Sequence, residues 1–227
     1  MNGELSDDPA DGLDDGNPLP LRERKKRATR RRISDIATQL FRERGFDAVT
    51  VAEVARAADV SAMTVFNYFP RKEDLFLDRI PEAADLLATA VRERAPGEHP
   101  LTALRRLTLR LLDERHPLSA VGENYVPFWR IVIGSPALRA RAREGVEEVE
   151  TALAAALADT GTPDTGTPDP DLLAALVVAA YRTVFVGTAR RLLAGDPEAE
   201  VAEDHRARLE TAFTALERTG LGRRPAD

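Results

Sequence analysis

The sequence contains no cysteine and only three histidines. Without cysteine the chain can form neither disulfides nor thiolate metal sites, which suits a reducing compartment. His99, His116 and His205 lie far apart, and none has the H-x-x-x-H or H-x-E spacing of a metal site. We therefore expect no metal and no cofactor, and a cytoplasmic location.

Other absences narrow the class of protein. We find no nucleophile–base pair, phosphate-binding loop or convergent acid–base group, so we do not expect an enzyme. The sequence shows no run of about 20 apolar residues that would span a bilayer, and its acidic start is unlike a signal peptide, so we expect no membrane association. No alternating β-type stretch occurs either. The helix-type periodicity that remains predicts an all-α protein.

Charge is unevenly distributed along a chain of 227 residues with a formal net charge of −6. Residues 1–20 carry six acidic residues and no Lys or Arg, whereas residues 22–32 carry eight Lys/Arg and one Glu. Such a sign reversal predicts a disordered acidic tail over 1–20 beside a polyanion-binding arm. The alternative is an ordinary solvated charged face.

Three helices follow in quick succession. Apolar residues at helical spacing predict the first helix over 24–44, and Gly45 ends it. Thr50 and Glu53 form a capping-box pattern at the start of a second helix. Ser61 is a suitable N-cap for a short third helix that runs to Phe69. A helix, a tight turn and a short helix are the pattern of a helix-turn-helix unit.

The third helix has two faces. Val65 and Phe69 lie four apart and face the first two helices, while Ala62, Met63, Phe66 and Asn67 form the opposite face, suited to base edges. Thr64, Tyr68 and Lys72 form a flank that we assign to phosphate oxygens. The alternative is that the rings of Phe66 and Tyr68 belong to the core.

The run from about Arg24 to Asp78 resembles the DNA-binding domain of TetR/AcrR-type transcriptional regulators. The matching residues are Phe41, Gly45, Phe46, Thr50, Val51, Val54, Ala55, Ala58, Val60, Ser61, Thr64, Tyr68, Phe69, Lys72, Glu73 and Leu75. The chain departs from the family at Phe66, where tyrosine is frequent, and at Met63, where a small residue is common. The resemblance implies a homodimer on a palindromic operator. We assign DNA contact to Arg30, Thr50, Ser61, Ala62, Met63, Thr64, Phe66, Asn67, Tyr68 and Lys72.

Beyond the helix-turn-helix unit, which we place at 21–70, the chain resembles the family in architecture only. Periodicity predicts helices at 71–94, 100–115, 121–133, 136–158, 171–194 and 197–218. The duplicated Thr-Gly-Thr-Pro-Asp within 159–169 predicts a loop. We interpret 71–220 as an effector-binding domain that dimerises through its last two long helices, and 221–227 as a tail. An ordinary core helix remains the alternative for the first of those two.

Two aromatic groups stand out in this second domain. Aromatic side chains with a few polar ends often line small-molecule pockets, although on long helices they also fill cores. The candidate ligand residues are Tyr125, Phe128, Trp129, Arg130, Tyr181 and Phe185. The sequence thus predicts a DNA-binding transcriptional regulator, a repressor released by a small-molecule effector. The alternative is a DNA-binding helical protein without an effector, architectural or regulated by a partner.

Overall fold

The computed structural model describes residues 21–122, 125–160 and 169–218. Regular structure in these ranges is helical throughout, without a strand, which confirms the all-α prediction. In chain order the elements, with a short 3-10 helix labelled η1, are α1 Leu21–Arg44, α2 Val51–Ala57, α3 Ala62–Tyr68, η1 Glu73–Leu75, α4 Ile80–Arg92, α5 Pro100–Asp113, α6 Tyr125–Gly134, α7 Pro136–Asp159, α8 Pro170–Ala194 and α9 Glu198–Arg218.

The predicted caps of α2 and α3 are present. The Thr50 amide donates to Glu53 Oε2 at 2.8 Å while the Glu53 amide donates to Thr50 Oγ1 at 3.2 Å, which is the reciprocal capping box. The Ser61 hydroxyl accepts the Thr64 amide at 3.0 Å. Between the two helices Asp59 adopts a positive φ of 51°, a conformation that Asp tolerates better than most residues. This tight turn sets the direction of α3.

The prediction of one helix over 71–94 is wrong. The chain forms only the single turn of η1, and α4 begins at Ile80. Asp78 O, a carbonyl that a continuous helix would use, accepts from Arg30 Nη2 at 3.1 Å. Ser34 Oγ lies 3.4 Å from Leu75 O and donates its one hydrogen to Asp78 Oδ2 at 2.7 Å. Pro81 lies in the first turn of α4 and has no amide hydrogen to donate. Local turns and α1 contacts therefore replace helix at this segment.

The C-terminal helices enclose a second core. Helix α7 packs along α4 and α8, and α8 packs against α9. Fully buried His205 lies between α8 and α9, where its Nδ1 and the Thr188 hydroxyl are 2.7 Å apart. Its Nε2 has no hydrogen-bond partner among the described residues. Desolvation lowers the pKa of His205 to about 4, so the ring is neutral near pH 7.

Helix α8 is more apolar than the sequence reading allowed. It spans 25 residues with a mean hydropathy of 1.8 over its most apolar window, enough by length and composition to cross a membrane. In the fold it packs against α6, α7 and α9, and Leu173, Ala174, Val177 and Val178 lie in the core. These contacts are those of a core helix in a helical bundle.

Some predictions concern residues that the structure does not describe, and the predicted domain boundary is crossed by a shared apolar core. The acidic segment 1–20, most of the loop 159–169 and the tail 221–227 belong to the ranges that the structure does not describe. The domain boundary at residue 70 stays a prediction. A single apolar cluster contains both Phe69 of the helix-turn-helix unit and Trp129 of α6, so side chains from both sides of that boundary pack together.

Candidate nucleic-acid interface

Helix α3 separates its inward and outward side chains as the spacing predicts. Val65 and Phe69 are each 1% exposed and pack in the core with α1 and α2. On the other side Met63 is 69% exposed and Phe66 is 46% exposed, and Ala62 and Asn67 are exposed too. Phe66 therefore lies outside the core, whereas half-buried Tyr68 packs against it. A helix that presents four adjacent side chains in this way can fit a major groove.

The hydroxyl groups near α3 are partly used by the protein itself. Ser61 Oγ and Thr64 Oγ1 are 2.8 Å apart, and one of them donates to the other, so one hydroxyl hydrogen of the pair is left for a phosphate oxygen. Thr50 Oγ1 donates to Glu53 Oε2 at 2.8 Å. The Thr50 amide, its hydroxyl and Arg44 lower the pKa of Glu53 to about 2, so the cap is ionised at neutral pH.

Lys72 and Arg30, the two basic residues predicted to contact DNA, also make contacts within the protein. Lys72 Nζ donates to Phe46 O at 2.6 Å and lies 4.3 Å from the centre of the Phe46 ring. An ammonium has three donors, so Lys72 keeps donors for phosphate. The Arg30 guanidinium lies 4.6 Å from the centre of the Phe69 ring, at the C-terminal end of α3. Their contact with DNA stays a prediction.

An ion-pair junction that the sequence did not lead us to expect joins α7 to η1 and the residue before it, directly after the helix-turn-helix unit. Asp74 of η1 accepts from Arg141 Nε at 2.6 Å, and Arg141 also pairs with Glu148 at 2.9 Å. Arg71 pairs with Glu144, one turn from Arg141. The sequence holds a signal for this junction: Leu138, Arg141 and Gly145 share one buried stripe of α7, and a charge on such a stripe indicates a buried partner.

One turn further along α7 from Arg141, the helix also packs closely against the start of α4. A Cβ added at Gly145 would lie 2.9 Å from Ile80 Cγ1, well inside van der Waals contact. The first residue of α4 therefore rests directly on the α7 backbone. Beside it, burial raises the pKa of Asp78, opposed by a hydrogen bond of 2.7 Å from Ser34.

The aromatic candidates for ligand contact form a continuous series of ring contacts. Tyr181 stacks on Phe185, whose ring lies 5.0 Å from that of Trp129. Trp129 contacts Phe128 at 5.3 Å, and Phe128 stacks at 5.2 Å on Phe76, beyond η1. Tyr125 meets Phe128 edge to face. The structure thus brings five of the six candidates together, whereas Arg130 is exposed.

The polar atoms of these aromatic side chains differ in whether they have a hydrogen-bond partner. The Tyr181 hydroxyl donates to Leu118 O at 2.8 Å, and burial raises the pKa of Tyr181. Burial also raises the pKa of Tyr125 to about 12. Trp129 is 9% exposed, and its buried Nε1 has no hydrogen-bond partner in the described part of the chain. A buried unpaired donor costs about 1–3 kcal/mol, which a bound acceptor would recover.

A cleft of about 450 Å³ lies elsewhere, between the end of α5 and the start of α9. Four of the charged side chains on its walls form two pairs: Asp113 with Arg206, and Arg115 with Glu198 at 3.8 Å. None of the six ligand candidates lines this cleft. Their role in ligand binding stays a prediction.

One face of α8 is largely apolar and is left exposed by the described part of the chain. Leu172 is 49% exposed and Val186 is 36% exposed, with Ala179 and Thr183 between them on the same side of the helix. The Thr183 hydroxyl donates to Ala179 O at 2.8 Å, so this face has no need of water for that group. We call these residues the α8 face.

Helix α9 also exposes small side chains one turn apart. Ala207 and Thr211 are exposed one turn apart, and the Thr211 hydroxyl donates to Ala207 O at 2.8 Å. The two helices pack against each other along the chain. Each of them exposes small or apolar side chains that another helix can approach closely.

Comparison with known proteins agrees with this geometry. Residues 33–78 match the profile of the bacterial regulatory proteins of the tetR family. The chain is 30% identical over 167 residues to the HTH-type transcriptional regulator TcmR of Streptomyces glaucescens, across 72% of this chain and 73% of that protein. It is 32% identical over 89 residues to AcrR of Shigella flexneri, across 37% and 40% of the two chains.

Solved structures show the same fold. Thermus thermophilus FadR, a TetR-family transcriptional repressor in complex with lauroyl-CoA, is 29% identical with a TM-score of 0.51 over 87% of this chain and 98% of FadR. The SmeT–triclosan complex gives a TM-score of 0.54 at 18% identity over 83% and 91% of the chains, a likeness of fold alone. With the helix-turn-helix geometry and the relationship to TcmR, these findings show that the chain is a transcriptional regulator and belongs to the tetR family of bacterial regulatory proteins.

Proposed function

We propose that this transcriptional regulator is a repressor that binds a palindromic operator as a homodimer and leaves it when a small-molecule effector binds. One observation carries the DNA-binding part. Ala62, Met63, Phe66 and Asn67 are exposed side by side on α3, while Val65 and Phe69 fix the other side of that helix in the core. Such a face reads base edges, and the flanking hydroxyl and ammonium donors position it on phosphates. A regulator of this kind acts where the chromosome lies, in the cytoplasm.

The homodimer proposal depends on the α8 face and its neighbour on α9. Leu172, Ala179 and Val186 form an exposed stripe of small and apolar side chains along α8, and a second copy of the same helix pair would cover it. The internal hydrogen bonds of Thr183 and Thr211 remove the desolvation penalty that free hydroxyls would add. The pair of helices would then form a four-helix bundle across a two-fold axis.

The effector proposal depends on Trp129 and its ring neighbours. The relative FadR was solved with lauroyl-CoA and SmeT with triclosan, and both ligands carry apolar groups. In this chain an apolar ligand that entered between Trp129 and Phe185 would replace ring contacts with its own. An acceptor on that ligand would pair with the unpartnered Trp129 Nε1. We therefore expect an effector with an apolar body and at least one hydrogen-bond acceptor.

Release requires the effector to bind better to a form in which the two α3 helices are wrongly spaced. The series of ring contacts runs from Trp129 through Phe128 to Phe76, next to η1. The junction formed by Asp74 and Arg141 holds η1 against α7. A displacement of α6 would therefore reach the segment that carries α3.

Selection of bound duplexes from a random pool tests the DNA part of the proposal. We expect an enriched palindrome whose half-sites are separated by one or more helical turns, about 34–36 Å each. Light scattering of the complex should give two chains per operator. A single asymmetric site occupied by a monomer would contradict the homodimer.

A metabolite panel applied to the same complexes tests the effector part. We expect a compound that releases the operator and changes the fluorescence of Trp129, the only tryptophan. The close ring packing around Trp129 favours one alternative, a DNA-binding regulator without an effector. If no compound in a panel that includes acyl thioesters and aromatic drugs changes either signal, that alternative holds.

A further inference from the structure

Nearly all side chains in the first two turns of α1 are exposed, and the helix first contacts the rest of the described protein at Arg30. Ile33 is the first fully buried residue of the helix. Its buried stripe would continue towards the N-terminus at Lys26 and Arg22, seven and eleven residues earlier, but both are exposed. Leu21 at the helix start is 59% exposed as well. We call residues 21–32 the α1 arm.

The arm carries basic side chains on all sides of the helix. Only Arg30 among its cations has a hydrogen-bond or ion-pair partner in the described ranges, through Asp78. The other seven, exposed and without such a partner there, are Arg22, Arg24, Lys25, Lys26, Arg27, Arg31 and Arg32. Like charges three and four residues apart repel each other and destabilise an isolated helix. A polyanion that lies along the arm would reverse this repulsion.

The position of the arm next to α3 identifies the polyanion. Arg30, the last anchored cation, lies over the ring of Phe69, which caps the C-terminal end of α3. From Arg30 back to Arg22 the helix extends a further 12 Å or so at about 1.5 Å per residue. DNA that is bound to the outward face of α3 therefore has its backbone within reach of the arm.

We propose that the α1 arm is a second DNA-binding element, which contacts backbone phosphates beyond the base pairs that α3 covers. This inference rests on the proposed DNA binding by α3. The arm reads no bases, because its side chains are long cations and its charge is spread around the helix. It adds affinity for any sequence and lengthens the protected stretch of backbone.

The test compares two matched double variants of the full chain. Arg24→Gln/Arg27→Gln removes two charges from the arm, and Arg110→Gln/Arg143→Gln removes two exposed charges from α5 and α7. The DNA probe is the duplex that the protein itself selects from a random pool, with a scrambled duplex beside it. Equilibrium binding is measured between 50 and 200 mM salt, and hydroxyl-radical footprints are recorded for each protein.

Because the proposed homodimer carries two arms, the arm variant removes four charges from the complex and should lose up to about 3.6 units of salt slope, since each phosphate contact contributes about 0.9. Between 50 and 200 mM salt its affinity should then fall up to roughly 150-fold less than that of the wild type. The ratio of selected to scrambled binding should stay the same. Its footprint should lose protected backbone positions, while the control variant keeps both the slope and the footprint of the wild type.

Three outcomes overturn the inference, and they differ from failure of the proposed function. If both double variants share the wild-type slope, the arm makes no phosphate contact. If both lose the same slope, the effect is net charge and not the arm. If the arm variant binds selected DNA with altered base preference, the arm reads sequence and the proposal is wrong. A wild-type chain that binds no duplex at all refutes the operator proposal itself, and with it the arm.

Discussion

The outward face of α3 and the interior of the C-terminal helices both hold polar groups without a partner among the described residues, but at opposite exposures. Asn67 is exposed on α3, so water satisfies its amide. The Trp129 Nε1 and the His205 Nε2 are buried and unpaired. An exposed polar group bonds to water and costs no stability, whereas a buried unpaired group destabilises the fold unless a ligand bonds to it. Exposed polar groups suit a surface that contacts DNA without a change in the fold. Buried unpaired groups suit a site where a bound ligand raises the stability of the protein.

The largest expected effect comes from the same truncation at the two places. Trp129→Ala removes a buried ring that touches Phe128 and Phe185, and should lower the free energy of unfolding by about 3–5 kcal/mol. Phe66→Ala, the matched change on exposed α3, should alter it by no more than about 0.5 kcal/mol. Urea unfolding followed by circular dichroism measures both. Equal losses would show that Phe66 packs in solution.

The next largest effect is a loss of stability at acid pH, which comes from the buried His205 in the C-terminal helices. An unfolded histidine titrates near 6.5, the value from which burial lowers the pKa of His205 to about 4. As the pH falls from about 6.5 to about 4, the unfolded chain binds a proton that the folded chain does not, so the free energy of unfolding falls. The loss should approach about 3 kcal/mol.

One variant isolates this titration from that of the carboxylates. His205→Asn keeps a group that can pair with Thr188 and should flatten the fall in the free energy of unfolding between pH 6.5 and 4.5. An unchanged pH profile for His205→Asn would mean that the ring is solvated.

Asn67→Ala should change DNA recognition without changing the stability of the fold. Asparagine can pair bidentately with adenine, so its loss should relax the preference at one base position by about 1–3 kcal/mol. Thermal unfolding should be unchanged because the side chain is exposed. Competition binding with single-base variants of the selected operator provides the measurement. If affinity fell equally for every variant, Asn67 would be a backbone contact.

The smallest expected effect concerns the unpaired indole. Trp129→Phe keeps most of the ring volume and removes the donor. If the effector accepts a hydrogen bond from Nε1, half-maximal release should need roughly 2- to 12-fold more effector, equivalent to about 0.5–1.5 kcal/mol. Operator affinity without effector should match the wild type. Titration of the complex with the effector found in the panel decides this, and an unchanged midpoint would remove Nε1 from the site.

The difference between these regions also explains what the sequence could predict. Caps and periodicity are local, so Thr50, Glu53, Ser61 and the two faces of α3 follow from spacing alone. The break between η1 and α4 depends on Ser34 and Arg30, more than 40 residues away in sequence, which no local pattern contains. Whether Trp129 packs or lines a pocket likewise depends on the rings that meet it in space.

The contact between Gly145 and Ile80 makes the junction asymmetric. With the α4 start already resting on the α7 backbone, any approach of the two helices compresses atoms at contact distance, and protein interiors resist compression. Movement apart would break the ion pairs of Arg141 and Arg71 and separate the apolar cluster that both sides share. Close contact therefore sets a fixed limit to the approach of α4 and α7, whereas their separation is opposed by contacts that can break and form again.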